Sequence, residues 1–200
     1  MDFGRRKNRL VNLRAVAIGC AALLLVTACT PQWVRVDAAT AEARTDSGFV
    51  ATLPVGWVRF TNPNAKFDSL ASRDGVRVQF ITMGSRKISE AFPRLNKPAP
   101  KGALSTELAD LEFAEQLAAL KPLVVKAVES TPISVAGQRA FRLLTEYKTE
   151  SGLTMRRVTV AWMSGDDYSY VRFEAPALHY YERDLPEFNK FVQTVRRAGA

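Results

Sequence analysis

From residue 49 onward, apolar and polar positions alternate over short stretches that glycine and proline cut apart. Residues 49–53 (FVATL) read as a strand, Pro54 and Gly56 punctuate it, and residues 57–60 resume an extended segment. In KFDSLASRDGVRVQFITMG two extended runs meet at Asp74-Gly75, a hairpin signal. Beyond that turn Val76, Val78 and Phe80 alternate with Arg77 and Gln79, a period of two that predicts one buried and one solvated face. PISVAGQRAFRLLTEYK reads as a short strand, a turn at Ala136-Gly137 and a longer strand. On the longer strand Phe141, Leu143 and Tyr147 face one way and Arg142, Glu146 and Lys148 the other. After a turn at Ser151-Gly152, LTMRRVTVAWM returns with Val158, Val160 and Trp162 in register. SGDD turns again, and YSYVRFEAP is the last strand, with Val171 and Phe173 on one face.

Two segments have helical spacing. Pro93, Pro98, Pro100 and Gly102 exclude long regular structure over residues 84–104. Ser105 or Thr106 then caps a helix with Glu107 and Asp110 in its first turn, where the helix dipole favours acids. This helix runs to about Leu120 and stops at Pro122. Leu104, Leu108 and Leu111 share one side while Phe113, Leu117 and Leu120 lie nearly opposite, which predicts a kink or burial on both sides. From about Leu185, Phe188, Phe191, Val192 and Val195 follow the i, i+3, i+4, i+7 rule of a second helix. Strands, a helix, hairpin-linked strands and a terminal helix make an α+β domain, an antiparallel sheet with helices packed on it.

The first 47 residues read differently. Residues 15–28 are an apolar run of 14, short of the ~20 that a spanning helix needs. It follows Arg5, Arg6, Lys7, Arg9 and Arg14, and small residues precede Cys29, the layout of an export signal. Val26-Thr27-Ala28-Cys29 resembles the bacterial lipobox, in which the cysteine becomes the new N-terminus and carries a diacylglycerol. A further acyl chain, palmitate for example, adds ~0.8 kcal/mol per buried CH₂ and makes anchoring stable where one chain is marginal. An uncleaved anchor with a free thiol is the alternative. Thr30 rather than Asp follows the cysteine, which by the sorting pattern of enteric bacteria points to the periplasmic face of the outer membrane rather than the inner membrane. Residues 29–47 are expected to be the lipidated N-terminus and a short tether, with Trp33, Val34 and Val36 as material for an edge strand. Residues 48–200 are expected to form the single domain.

The formal charge of +8 divides evenly, because residues 1–28 carry five Lys or Arg and one acid, and the rest carries 23 against 19. A domain so weakly basic has no nucleic-acid footprint, and export argues against one. Cys20 leaves with the signal and Cys29 is acylated, so the remaining domain has neither thiol nor disulfide and depends on its core.

FVATLPVGW, RDGVRVQFI, ISVAGQRAFRLLTEYK and YSYVRFEAPALHYYERDLPEFNKFVQTV are similar to segments of the PsbP-like and DcrB-like superfamily. The shared features are Leu-Pro-x-Gly-Trp near the start, an Ala-Gly ahead of a long strand, and Ala-Pro before a last helix rich in phenylalanine. The resemblance covers roughly residues 48–196. It implies a twisted antiparallel sheet between helices, an α/β/α sandwich, and a protein that acts by binding.

Candidate chemistry is sparse. His179 is the single histidine, and no G-x-S-x-G elbow accompanies it, so capping or solvation is favoured over a hydrolase triad. Asp166-Asp167 belong to a turn. No phosphate loop and no Cys/His metal spacing is present, so no metal, no cofactor and no enzyme activity is expected. Two surface features remain. Arg86, Lys87, Arg94, Lys97 and Lys101 crowd the proline-rich break and are candidates for contact with an anionic surface, weighed against a solvated loop. Tyr168, Tyr170 and Arg172 share a strand face and are candidates for binding an envelope protein partner, weighed against sheet packing beneath a helix. The leading expectation is a membrane-anchored, non-enzymatic binding or assembly module, ahead of a carrier of a small apolar or lipid ligand and of a hydrolase. Replacing the anchor residue, Cys29→Ser, is expected to move the protein from the membrane pellet to the soluble fraction; retention in the pellet counts against the lipid anchor.

Overall fold

A computed structural model describes residues 33–61, 69–95, 99–100, 102–121 and 123–199. The expected signal segment, Cys29, Lys97 and Lys101 lie outside these residues. Among the described residues, eleven strands and two α-helices form two sheets with helical cover. The strands are β1 (Trp33–Arg35), β2 (Glu42–Arg44), β3 (Phe49–Thr52), β4 (Val58–Phe60), β5 (Ser69–Ser72) and β6 (Phe80–Lys87) before helix α1 (Ser105–Ala119). After it come β7 (Val125–Val135), β8 (Gln138–Lys148), β9 (Thr154–Ser164), β10 (Asp167–Pro176), helix α2 (Glu182–Gln193) and β11 (Arg196–Arg197).

The large sheet has the order β1-β4-β5-β6-β10-β9-β8-β7 and is antiparallel throughout. A small sheet, β11-β3-β2, packs with α2 on one of its faces, and α1 covers part of the other. The α+β architecture with helices on an antiparallel sheet is therefore as the hydrophobic pattern predicts. On the α2 side, Phe49, Trp162, Phe173, Phe188 and Phe191 are almost fully buried in one aromatic core. Phe173 stacks on Phe188 at a ring separation of 5.6 Å, and Phe49 meets Trp162 edge-on at 5.1 Å. Burying side chains of this size is the largest favourable contribution to such a fold, about 1.5–3 kcal/mol each.

Four local expectations are corrected. Residues 33–47 are not merely a tether: Trp33 and Val34 lie in β1, an edge strand as expected, while β2 pairs with β3 and Val36, Ala41 and Ala43 are buried. The strand before Ala136 is eleven residues long, not short. Pro132 lies inside it, and its position on the sheet edge explains why a residue without an N–H is tolerated. Val76 and Val78 lie in a turn, with β6 starting only at Phe80. Neither Ser105 nor Thr106 caps α1; Leu104 is the N-cap, and its N–H is taken by the Glu107 carboxylate at 2.8 Å.

The turn at Val76 is explained by the residue that follows it. Gln79 is completely buried, and its side chain accepts hydrogen bonds from the Ser72 hydroxyl at 3.0 Å and the Asp74 N–H at 3.2 Å. These bonds compete with a longer strand ladder. Gln79 also donates to Asp184 at 3.1 Å, which ties this turn to the first turn of α2. Asp184 is fully buried and receives Arg73 at 3.0 Å and Arg183 at 2.6 and 2.9 Å. Burial works to raise its carboxyl pKa, but the hydrogen bonds from Arg183, Gln79 and Arg73 outweigh burial and hold it below the usual 3.8. A depressed folded-state pKa means this contribution is fully present above the unfolded value and disappears as pH falls through the folded one. Asp184→Asn is therefore expected to cost about 2 kcal/mol at neutral pH in urea unfolding. It is also expected to flatten the loss of stability below about pH 4.

Candidate functional site

The α1 side of the sheet is unlike the aromatic side. Strand alternation directs Tyr168, Tyr170, Arg172 and Glu174 of β10 to this face. The register sets Arg172 opposite Thr82 and Thr159, and Glu174 opposite Phe80 and Arg157. Helix α1 answers with a polar stripe, since Glu112, Glu115 and Gln116 are buried beside Leu108 and Ala109. That stripe resolves the split leucine pattern. Leu104 and Leu117 are exposed, and of the two expected outcomes α1 shows no kink, while Leu108 is buried and Leu111, Phe113 and Leu120 are partly buried.

The Glu112 carboxylate is 1 % exposed and accepts from the Tyr168 hydroxyl at 2.8 Å and from Arg172 at 3.0 Å. Gln116 donates to Glu112 at 3.2 Å and accepts from Thr145 at 2.8 Å, fixing α1 to β8. Alongside, Glu174 accepts from Tyr147 at 2.9 Å and forms an ion pair with Arg157. Burial and the neighbouring Glu112 charge push the Tyr168 phenol well up, and burial and Glu174 do the same to Tyr147. Both phenols stay neutral donors at physiological pH. Burial pulls the Arg172 guanidinium down, but Glu112, Tyr168 and Tyr170 outweigh it and the group stays charged.

Helix α1 packs on β7 and β8 and leaves the β5-β6-β10 part of this face with a cavity of about 490 Å³. Leu70, Val76 and Phe80 supply its apolar lining and Arg86, Arg157 and Arg172 its cations. Tyr170 lies between Arg86 and Arg172, with their guanidinium carbons 5.1 and 4.1 Å from its ring centre. Its hydroxyl accepts from Arg86 at 3.1 Å. The ring lies close against β6 because residue 84 is glycine; a Cβ there would sit 2.5 Å from the phenol oxygen. A smaller hollow of about 180 Å³ shares the three arginines and reaches Glu112, Glu115 and Gln116 of α1.

Some candidate residues meet here and others do not. Tyr168 and Tyr170 are 0 % and 3 % exposed, so the tyrosine-arginine strand face is no outer surface. It is covered by α1 and by Phe92, whose ring stands 5.2 Å from Tyr168. The basic residues of the proline-rich break do not form one patch. Arg86 lines the cavity, Lys87 pairs with Asp167 at 2.8 Å, and Arg94 is bound to Glu115 at 2.8 Å. His179 is exposed at the strand-to-helix joint with φ +69°, its ring edge-on to Tyr180 at 5.1 Å. The Asp166 backbone carbonyl accepts from the Ile88 N–H at 2.9 Å in the turn, whereas Asp167, expected in the turn as well, is the first residue of β10. Glu112, Gln116 and Arg157 are site residues that apolar periodicity alone does not pick out. The signal that reveals the first two is a Glu and a Gln at i+4 and i+8 from Leu108, on the same face of the helix.

Among the described residues no group of His, Cys, Asp and Glu is placed to hold a metal ion. None of the helices there is long and apolar enough to cross a membrane. No protein-family model matches the sequence, and no curated protein matches it. Solved structures do. The solution structure of cyanobacterial PsbP, CyanoP, from Synechocystis sp. aligns over 85 % of this chain and 95 % of that one, with a TM-score of 0.55 at 11 % identity. The fold is PsbP-like. Yeast Mog1p, a Ran-binding protein from Saccharomyces cerevisiae, aligns over 78 % of this chain and 94 % of its own, with a TM-score of 0.48 at 10 % identity. LpqN, involved in cell envelope biogenesis of Mycobacterium tuberculosis, aligns over 84 % and 91 % with a TM-score of 0.34 at 13 % identity. The fold assignment rests on the first of these alone.

The buried Glu112 makes a direct prediction. Glu112→Ala leaves Arg172 and Tyr168 without their acceptor and is expected to cost about 3–5 kcal/mol in urea unfolding. The double variant Glu112→Leu with Arg172→Met is expected to recover most of that loss.

Proposed function

We propose that this protein is a non-enzymatic binding module of the bacterial cell envelope, held at the membrane by lipid on Cys29. The lipobox-like Val26-Thr27-Ala28-Cys29 supports the anchor, and Thr30 favours the periplasmic face of the outer membrane. The observation that carries the binding role is the cavity of about 490 Å³ beside α1, lined by Leu70, Val76 and Phe80 and by three arginines. Its size falls in the range of about 300–1,000 Å³ typical of small-molecule sites, and its mixture of apolar wall and few fixed polar groups is typical as well. Burial of Tyr168 and Tyr170 moves the weight from a protein-recognition face to a ligand held against the sheet.

The test is native mass spectrometry of the lipoprotein extracted from its own membranes in mild detergent. A retained small molecule, lost in a folded Phe80→Asp variant, is the expected result. An empty cavity together with a protein partner recovered in equal amount replaces this reading with the assembly role.

A further inference from the structure

The arginines of the cavity are not equivalent, and their pairing says what the ligand carries. Arg172 is neutralised by Glu112, with both carboxylate oxygens at 3.0 Å. Arg157 is neutralised by Glu174. Glu115, the other acid near this face, is committed to Arg94 at 2.8 Å. Arg86 has no carboxylate partner among the described residues; its guanidinium is held by the Tyr170 hydroxyl at 3.1 Å. Among the described residues two acids thus balance two of the three cations, and about one positive charge is left facing the cavity. The Nε–H of Arg172, on the same cavity, is also buried without an acceptor. A half-buried guanidinium without a counter-ion is costly, and its fork of donors suits a carboxylate or phosphate oxygen pair. Apolar lining begins close by, since Phe80 and Arg86 stand on one face of β6 with Leu70 on the neighbouring strand.

Building on the binding role above, we propose that this cavity takes a monoanionic amphiphile, its carboxylate or phosphodiester head on Arg86 and its hydrocarbon against Leu70, Val76 and Phe80. Such a head comes from a free fatty acid or from a phospholipid.

The full chain in non-ionic detergent is to be exposed to laurate, to lysophosphatidylglycerol and to neutral dodecanol, with complexes counted by native mass spectrometry. One or both anions are expected to bind, and which of them does identifies the source. Dodecanol is expected to bind about tenfold more weakly, the ratio that loss of one modest charge-assisted contact gives. Arg86→Gln is expected to lower anion binding about tenfold and leave dodecanol unchanged, while Arg86→Lys retains a preference for the anions. Lys87→Gln, on the same strand but paired with Asp167 at 2.8 Å, is the control and is expected to bind as wild type. Circular dichroism verifies that each variant is folded. Equal binding of laurate and dodecanol, or an Arg86→Gln variant indistinguishable from wild type, overturns the charge assignment and leaves the binding role standing. Failure of all three probes together with an empty native spectrum overturns both.

Discussion

The carboxylate of Glu112 is the constraint on which the α1 side of this protein depends. Helix α1 buries two glutamates and a glutamine beside Leu108 and Ala109, so apolar packing alone does not fix where it lies on the sheet. Its position is fixed because Tyr168 and Arg172 of β10 donate to the Glu112 oxygens at 2.8 to 3.0 Å and Thr145 of β8 donates to Gln116 at 2.8 Å. Buried charge of this kind adds less net stability than apolar packing of the same volume. It does fix one position, because a shifted helix leaves charged groups desolvated and unpaired.

That fixed position produces the cavity. With α1 pinned over β7 and β8, the α1 face of β5, β6 and β10 keeps an open hollow. The opposite face is covered by α2, the small sheet and five buried aromatic side chains. The two faces of one sheet have separate tasks: the α2 face supplies the core, and the α1 face supplies a polar lattice with space beside it. The same logic recurs at Gln79 and Asp184, where buried polar side chains set the turn before β6 and bind it to α2.

Strand alternation made much of this legible. Period two assigned Tyr168, Tyr170 and Arg172 to one face and Val171 and Phe173 to the other, as the register shows. Glycine placement also gave the turns at Ala136-Gly137 and within residues 164–167, and the spacing of Phe188 and Phe191 gave the buried face of α2, although Val195, expected on the same helix, lies beyond its end at Gln193. Pattern failed where a polar side chain replaced an apolar one inside. Val76 and Val78 resemble a strand, but Gln79 takes its hydrogen bonds from the turn.

The sequence by itself determined the α+β class, the hairpin succession and which residues of each strand travel together, because these follow from local periods of 2 and 3.6. Only the tertiary structure decided whether a face is outside or inside. Tyr168 has the same neighbours along the chain whether it meets solvent or Glu112, 56 residues away. The same holds for the basic break, whose Arg86, Lys87 and Arg94 part company to a cavity, an aspartate and a glutamate. Burial and charge pairing are set by distant segments, and no local pattern encodes them.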